Sequence, residues 1–309
     1  MRAAFAKTLT ELADRDPRIL LLTGDLGYLA LEPFADKHPS RFFNVGVAEQ
    51  NMVGLATGLA EAGFIPYVYS IVPFAVLRPY EFIRNGPIQH QWPVRVVGVG
   101  AGMDYGLNGL SHYGLEDVAV MRVQPGITVI APADHEQARS ALLACWNLPG
   151  PTYYRLGKDD KSVVAGLGGR FELGRVQQLR EGSDVIIVAM GAVTVEAVAA
   201  AETLAKEGIS CCVLVVASVS PAPEEDLARA LSRFALAVTV EAHYRSGGLG
   251  SLVAEVVAER RLGCRLVRIA VKTQAAGPCG SQAYLYRKYG LSREAIVQTV
   301  RQEFREGSR

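Results

Sequence analysis

The 309-residue sequence lacks an excess of charge of either sign, because it contains 32 Lys and Arg residues and 31 Asp and Glu residues. A net charge near zero gives no electrostatic basis for a protein that gathers nucleic acid or coats a membrane surface. No run approaches the roughly 18 apolar residues of a membrane span. The basic residues near the start are not followed by a long apolar stretch. We therefore expect neither a secretory signal peptide nor a membrane helix.

Cysteine is scarce, and no two cysteines have CxxC spacing. A disulfide scaffold or a zinc site is therefore not indicated, and a cytoplasmic location fits this composition. HExxH and GxSxG are also missing, so the sequence gives no sign of a zinc metalloprotease or an α/β-hydrolase.

Short apolar segments are abundant and alternate with amphipathic ones. Several are apolar at successive positions, which is typical of parallel strands that are buried on both faces. The predicted strands are 18–23, 41–45, 65–71, 94–99, 127–131, 184–190, 210–216, 236–241 and 266–271. The predicted helices are 4–13, 48–60, 134–145, 194–207, 223–234, 249–258 and 292–304. This alternation predicts an α/β fold with a mainly parallel sheet.

The length suggests two domains of roughly 150 residues each. Periodicity is weakest between residues 157 and 182, where a charged cluster and a glycine-rich run interrupt the pattern. We predict a first domain over 1–165, a linker over 166–182 with room for one short strand, and a smaller α/β domain over 183–309.

Glu49 follows a predicted strand and a turn at Gly46, and it lies in the first turn of the next predicted helix. A carboxylate at that position can simply favour the positive end of the helix dipole. It can also serve a ligand at the carboxyl edge of the sheet, where α/β folds bind their ligands. The residues around it leave both interpretations open.

Two further segments carry groups suited to ligand binding. Four aromatic residues and two arginines lie within 69–85, where a ring such as Phe74 could either stack on a flat heterocycle or pack in the core. A glycine-rich loop follows the strand 94–99 and contains His112, which is either an acid–base group or an ordinary loop histidine. The loop is neither a dinucleotide-binding GxGxxG nor a P-loop.

The order and spacing of these segments resemble transketolase. The similarity is to its C-terminal half, a pyrimidine-binding domain followed by a C-terminal domain, which split transketolases encode as a separate chain of about this length. It covers essentially the whole sequence. The segments that carry it are 46–52, 73–74, 78–81, 108–112, 184–191 and 240–251.

The resemblance implies thiamine diphosphate as the cofactor and Glu49 as the catalytic glutamate. In the family, a buried carboxyl group hydrogen-bonds the aminopyrimidine ring and favours the imino form, which removes the proton from the thiazolium carbon. Phe74 matches the residue that stacks on the pyrimidine, and Arg78 is expected to contact the cofactor. His112 matches a catalytic histidine close to the substrate.

The resemblance also suggests how a sugar would bind. Arg155 and Arg2 match arginines that bind the sugar phosphate, and Asn108 is expected to contact the substrate. Split transketolases commonly carry an acidic residue at the position of Asn108 and a histidine at that of Gly100. These departures weaken the case for an ordinary pentose phosphate and leave the ketose and aldose substrates open.

The family holds the diphosphate through Mg²⁺ and a Gly-Asp-Gly motif, which does not occur in this sequence. The resemblance therefore implies an N-terminal, diphosphate-binding partner chain. The Mg²⁺ is expected to be held mainly by that partner. We expect a heterotetramer with two copies of each chain, with homodimer contacts through the second domain.

Three other functions fit parts of the pattern. The β subunit of 2-oxo acid dehydrogenase E1 shares the architecture and the glutamate, although the EQNM sequence at 49–52 is more like transketolase. A carboligase that joins pyruvate to an aldehyde is a second alternative. A non-catalytic scaffold is a third, which the presence of Glu49, Phe74 and His112 disfavours.

Overall fold

A computed structural model describes residues 1–277 and 279–307, which form two α/β units around two sheets. The helices are α1 (Arg2–Ala13), α2 (Glu32–Lys37), α3 (Glu49–Glu61), α4 (Val72–Val76), α5 (Tyr80–Ile83), α6 (Asp117–Arg122), α7 (His135–Cys145), α8 (Thr194–Lys206), α9 (Glu224–Leu231), α10 (Leu249–Glu259), α11 (Gln282–Tyr289) and α12 (Arg293–Gly307). The strands are β1 (Ile19–Thr23), β2 (Phe42–Asn44), β3 (Ile65–Ile71), β4 (Arg95–Val99), β5 (Thr128–Ile130), β6 (Thr152–Leu156), β7 (Val176–Arg180), β8 (Val185–Met190), β9 (Cys211–Val216), β10 (Ser218–Ser220), β11 (Leu236–Tyr244) and β12 (Arg265–Val271). The last two residues of the predicted second domain lie outside the described residues.

The first unit is built around a seven-stranded sheet of order β10-β5-β6-β4-β3-β1-β2, and the second around a five-stranded sheet of order β12-β11-β8-β9-β7. Every pairing is parallel except those of the edge strands β10 and β7. The predicted α/β fold with mainly parallel sheets is therefore confirmed.

The central strands form because helices cover both faces of each sheet. All residues of β1, β4 and β8 are buried. Local signals fix some helix ends. The Asp134 side chain accepts a hydrogen bond of 2.8 Å from the backbone N–H of Gln137 and so caps α7. Gly208 follows α8 with a φ of +83°, which suits the residue after a helix.

Two strands are absent from the sequence prediction. β6 contains a buried arginine and two buried tyrosines, so it lacks the uniform apolar pattern of the other central strands. β10 has only three residues, yet it pairs with β5 and adds a segment from the second half of the chain to the first sheet. β7 lies within the predicted linker and belongs to the second sheet. The two units are thus interlocked through a shared sheet.

In the part of the chain that the structure describes, no helix is both long and apolar enough to cross a membrane.

Candidate active site

Glu49 lies at the carboxyl edge of the first sheet. β2 ends at Asn44, whose side-chain oxygen accepts a 3.0 Å hydrogen bond from the N–H of Gly46. Gly46 has a φ of +71°, which only glycine adopts without strain, and α3 begins three residues later. The turn leaves Glu49 1% exposed in the first turn of the helix. A carboxylate this deeply buried needs hydrogen-bonding partners.

Two side chains supply those partners. The Ser70 hydroxyl, near the end of β3, donates to Oε1 of Glu49 at 3.2 Å. The Arg78 guanidinium donates to Oε2 at 2.6 Å and forms an ion pair with it. Gly24 borders the same carboxylate, because a Cβ at that position would lie 3.4 Å from Oε1, in ordinary contact. Charge-assisted bonds of this kind stabilise a buried carboxylate.

Phe74 and His112 complete a group that we call the Glu49 cluster: Glu49, Phe74, Arg78 and His112. The Arg78 guanidinium carbon lies 4.4 Å from the centre of the Phe74 ring, a cation–π distance. The Phe74 and His112 rings meet edge to face, with centroids 5.1 Å apart. The structure thus brings these four predicted residues together from three separate segments of the chain.

His112 lies on a loop over residues 101–114, which we call the His112 loop. Its two ends are joined by backbone hydrogen bonds of 2.9 and 2.8 Å between Gly102 and Gly114. Asn108 lies exposed on the same loop. The Ser111 hydroxyl lies 3.0 Å from Nδ1 of His112. The loop therefore presents the predicted histidine and the predicted asparagine at one edge of the sheet.

Arg2 lies close to this loop, beside Tyr105. Burial raises the pKa of the Tyr105 hydroxyl, and the nearby charge of Arg2 opposes that rise. The Tyr105 and His112 ring centroids are 6.3 Å apart, and the Lys158 ammonium lies 4.7 Å from the Tyr105 ring centre. Arg2 and Lys158 line one cleft of about 360 Å³. The predicted Arg2 therefore lies near the Glu49 cluster, with Tyr105 in between.

Sequence reasoning missed three of these residues. Ser70 lies in an apolar strand and gives no signal of its own. Tyr105 belongs to the glycine-rich loop, where nothing distinguishes it from its neighbours. Lys158 belongs to a charged cluster whose pattern is typical of a connecting segment, although its position just after a buried aromatic segment at the sheet edge could have marked it.

Arg155 lies apart from the cluster, and its expected contact with a sugar phosphate remains a prediction. It is 2% exposed, and its Nε donates to Asp117 at 2.7 Å. Its Nη2 donates to the carbonyl groups of Gly114 and Ala242 at 2.8 and 2.9 Å. Nε and Nη2 of the guanidinium are therefore occupied by partners within the chain. Arg155 thus joins the two units, since Ala242 lies on β11 of the second sheet.

Metal ligands are a separate matter. Within 1–277 and 279–307, no group of three or more His, Cys, Asp or Glu side chains is arranged to hold a metal ion.

The fold and the Glu49 cluster define an α/β enzyme subunit that presents a buried carboxylate, an aromatic ring and a histidine at one sheet edge. Residues 1–161 match the transketolase pyrimidine-binding domain, and residues 174–296 match the transketolase C-terminal domain. The chain therefore belongs to the transketolase family and corresponds to the C-terminal subunit of its split members.

Individual relatives agree with this assignment. A subunit of 6-deoxy-6-sulfo-D-fructose transketolase from Clostridium sp. is 37% identical, covering 99% of this chain and 96% of that protein. A subunit of apulose-4-phosphate transketolase from Phocaeicola vulgatus is 33% identical, covering 97% and 96%. A solved split-gene transketolase, described as an inactive β4 tetramer, has a TM-score of 0.86 at 37% identity, covering 97% and 96%.

Proposed function

We propose that this chain activates the aminopyrimidine of thiamine diphosphate in a two-chain transketolase, which transfers a two-carbon ketol unit between sugars. The observation that carries the proposal is the Glu49 carboxylate, 1% exposed and within the cluster of Phe74, Arg78 and His112. Because the chain belongs to the transketolase family, thiamine diphosphate is the cofactor to test.

The residues of the cluster fit one end of that cofactor. A buried carboxyl group can share a proton with a ring nitrogen, and low local polarity strengthens that hydrogen bond. The Phe74 ring offers a face for a flat heterocycle. When bound, thiamine diphosphate supplies a nucleophilic carbon and an electron sink. Glu49 would hold the proton at the pyrimidine end, and His112 would offer a polar group to the substrate.

The diphosphate end requires a second chain. The sequence has no Gly-Asp-Gly motif, and the described residues contain no group of metal ligands. Both observations agree with a partner that holds the diphosphate and Mg²⁺. We further propose that the two chains form a heterotetramer in the cytoplasm. The relatives named as transketolase subunits agree with this division of labour.

An anionic sugar is the substrate class that the names of the relatives favour. Arg2, Lys158 and Lys161 line a cleft beside Tyr105, and Asp104, Asp159 and Asp160 line the same cleft, so its charges balance. Two relatives are named for a sulfonated fructose and for apulose 4-phosphate, both anionic sugars. Asn108, exposed on the His112 loop, is the residue we expect to meet the sugar hydroxyls.

The isolated chain should show no ketol transfer, and activity should appear when a Gly-Asp-Gly-containing subunit is added with thiamine diphosphate and Mg²⁺. Coupled assays with anionic ketose donors and an aldose acceptor measure this directly. Robust turnover by the isolated chain would contradict the proposed partner. Release of carbon dioxide from pyruvate would point to an E1-type or carboligase reaction. Calorimetry that finds no cofactor binding to the two-chain complex would indicate a scaffold.

Replacing Phe74 by alanine should weaken thiamine diphosphate binding to the two-chain complex. Loss of an aromatic stacking partner is worth ~0.5–1.5 kcal/mol, which corresponds to about a 2- to 13-fold rise in Kd. Titration calorimetry measures the change. Phe64→Ala is the matched control, because Phe64 is 36% exposed in the turn after α3. Equal affinities for the Phe74 variant and the control would remove Phe74 from the cofactor site.

A further inference from the structure

The second unit touches the His112 loop where its two ends meet. A Cβ at Gly102 would lie 2.8 Å from the Ala242 side chain on β11, so the contact leaves no space. The Arg155 guanidinium bonds both the Gly114 carbonyl and the Ala242 carbonyl. The closed neck of the loop is therefore packed directly against the second sheet.

A second contact lies near the tip of the loop. The Gly280 N–H donates to the Gly106 carbonyl at 3.2 Å, and the Tyr113 hydroxyl donates to the same oxygen at 3.0 Å. A Cβ at Gly106 would clash with the Gly280 carbonyl oxygen and would lie 2.6 Å from Leu285. This close approach needs glycine for space alone, because Gly106 is not among the residues with a positive φ.

A third contact joins three segments through one carboxylate. The Gln282 side chain, at the start of α11, donates to Oδ1 of Asp104. Oδ2 of Asp104 accepts a 2.6 Å bond from the backbone N–H of Lys158. Burial raises the pKa of Asp104 to about 6. Since the Lys158 ammonium lies over the Tyr105 ring, Asp104 links Gln282 to the cleft that Arg2 and Lys158 line.

We propose that the segment 279–282 of the second unit is a positioning element for the active site. It holds the His112 loop, with Tyr105, Asn108 and His112, in the conformation that meets the substrate. Gln282 acts through Asp104 and is a positioning residue. When the loop is already ordered before binding, the binding free energy of the substrate is not reduced by the cost of ordering the loop. This role deepens the proposed function. Of the two tests below, only the one that measures activity depends on that function.

The first test measures loop order in the chain alone, by hydrogen exchange with mass spectrometry. Gln282→Ala removes the link to Asp104, and Gly106→Ala wedges the loop away from Gly280. Amides within 103–113 should exchange faster in both variants. In Gln282→Ala the increase should be about 10-fold, as expected when a hydrogen bond to a charged group is lost. Peptides from β3 and β4 should exchange as in the unmodified chain.

Matched controls separate this effect from general destabilisation. Gln298→Ala replaces an exposed glutamine on α12, and Gly263→Ala adds a Cβ where nothing lies within 4 Å. Neither should change exchange within 103–113. Unchanged exchange of that segment in both test variants would overturn the proposal. So would an equal acceleration across the whole second unit.

The second test uses the two-chain enzyme. Gln282→Ala should raise the KM for the ketose by about 10-fold, again the loss of one charge-assisted bond, with unchanged affinity for thiamine diphosphate. Asp104→Asn should retain a low KM, because its carbonyl can accept from Lys158 and its amide can donate to a flipped Gln282 amide. Asp104→Ala should not retain a low KM. An unchanged KM in Gln282→Ala would contradict the positioning role. An inactive unmodified complex would count against the transketolase proposal, and the exchange test would still decide the positioning role.

Discussion

Glutamine in place of Glu49 should lower ketol transfer by the two-chain enzyme by about 10²–10⁴-fold, the usual loss for an acid–base group. The amide cannot exchange a proton with the aminopyrimidine ring. It keeps the shape of the carboxyl group, and its oxygen can still accept from Ser70 or Arg78. Activity should therefore fall far more than stability. Steady-state rates at saturating thiamine diphosphate, with thermal unfolding of the same samples, measure both.

Glu61→Gln is the matched control, since it makes the same chemical change at the exposed end of α3. It should leave turnover unchanged. Full turnover by the Glu49→Gln complex would remove Glu49 from the chemistry and would leave its burial beside Arg78 as a structural ion pair.

The position of the candidate site was accessible from sequence because it follows from strand topology. Glu49, Phe74 and His112 each come after a predicted strand, and the carboxyl ends of neighbouring parallel strands share one edge of the sheet. Each residue alone stayed ambiguous, because a carboxylate at a helix start and a histidine in a loop are both common. The structure removes the ambiguity about location, because Arg78 contacts both Glu49 and Phe74, and Phe74 contacts His112.

The features that sequence patterns did not predict depend on pairing between distant residues. In β6, Arg155 and Tyr153 interrupt the apolar pattern, and both are buried because Asp117 from α6 accepts hydrogen bonds from each. No local window contains that partner. The contact of Gln282 with Asp104 spans 178 residues. Interdomain contacts of this kind fix the loop conformation, so they govern the part of the site that sequence described least well.

Replacing Asp117 by alanine should lower the free energy of unfolding by about 3–5 kcal/mol, the usual effect of removing one partner of a buried ion pair. Asp117 is fully buried, and its Oδ2 accepts from both Arg155 and Tyr153 at 2.7 Å. The variant leaves the Arg155 charge buried with carbonyl oxygens as its remaining acceptors. Urea unfolding of the isolated chain, followed by circular dichroism, measures the change.

Asp14→Ala, which breaks an exposed pair with Lys37 and a contact with His38, should have a much smaller effect because solvent screens the charge of the exposed Asp14. The combination of Asp117→Leu with Arg155→Met should recover much of the stability lost in Asp117→Ala, since an apolar pair removes the unpaired charge. It should not restore the bonds from Arg155 to Gly114 and Ala242. Faster exchange at the neck of the His112 loop in that stable double variant would separate the two roles of Arg155. A loss in Asp117→Ala no larger than that in Asp14→Ala would contradict the buried pair as a source of stability.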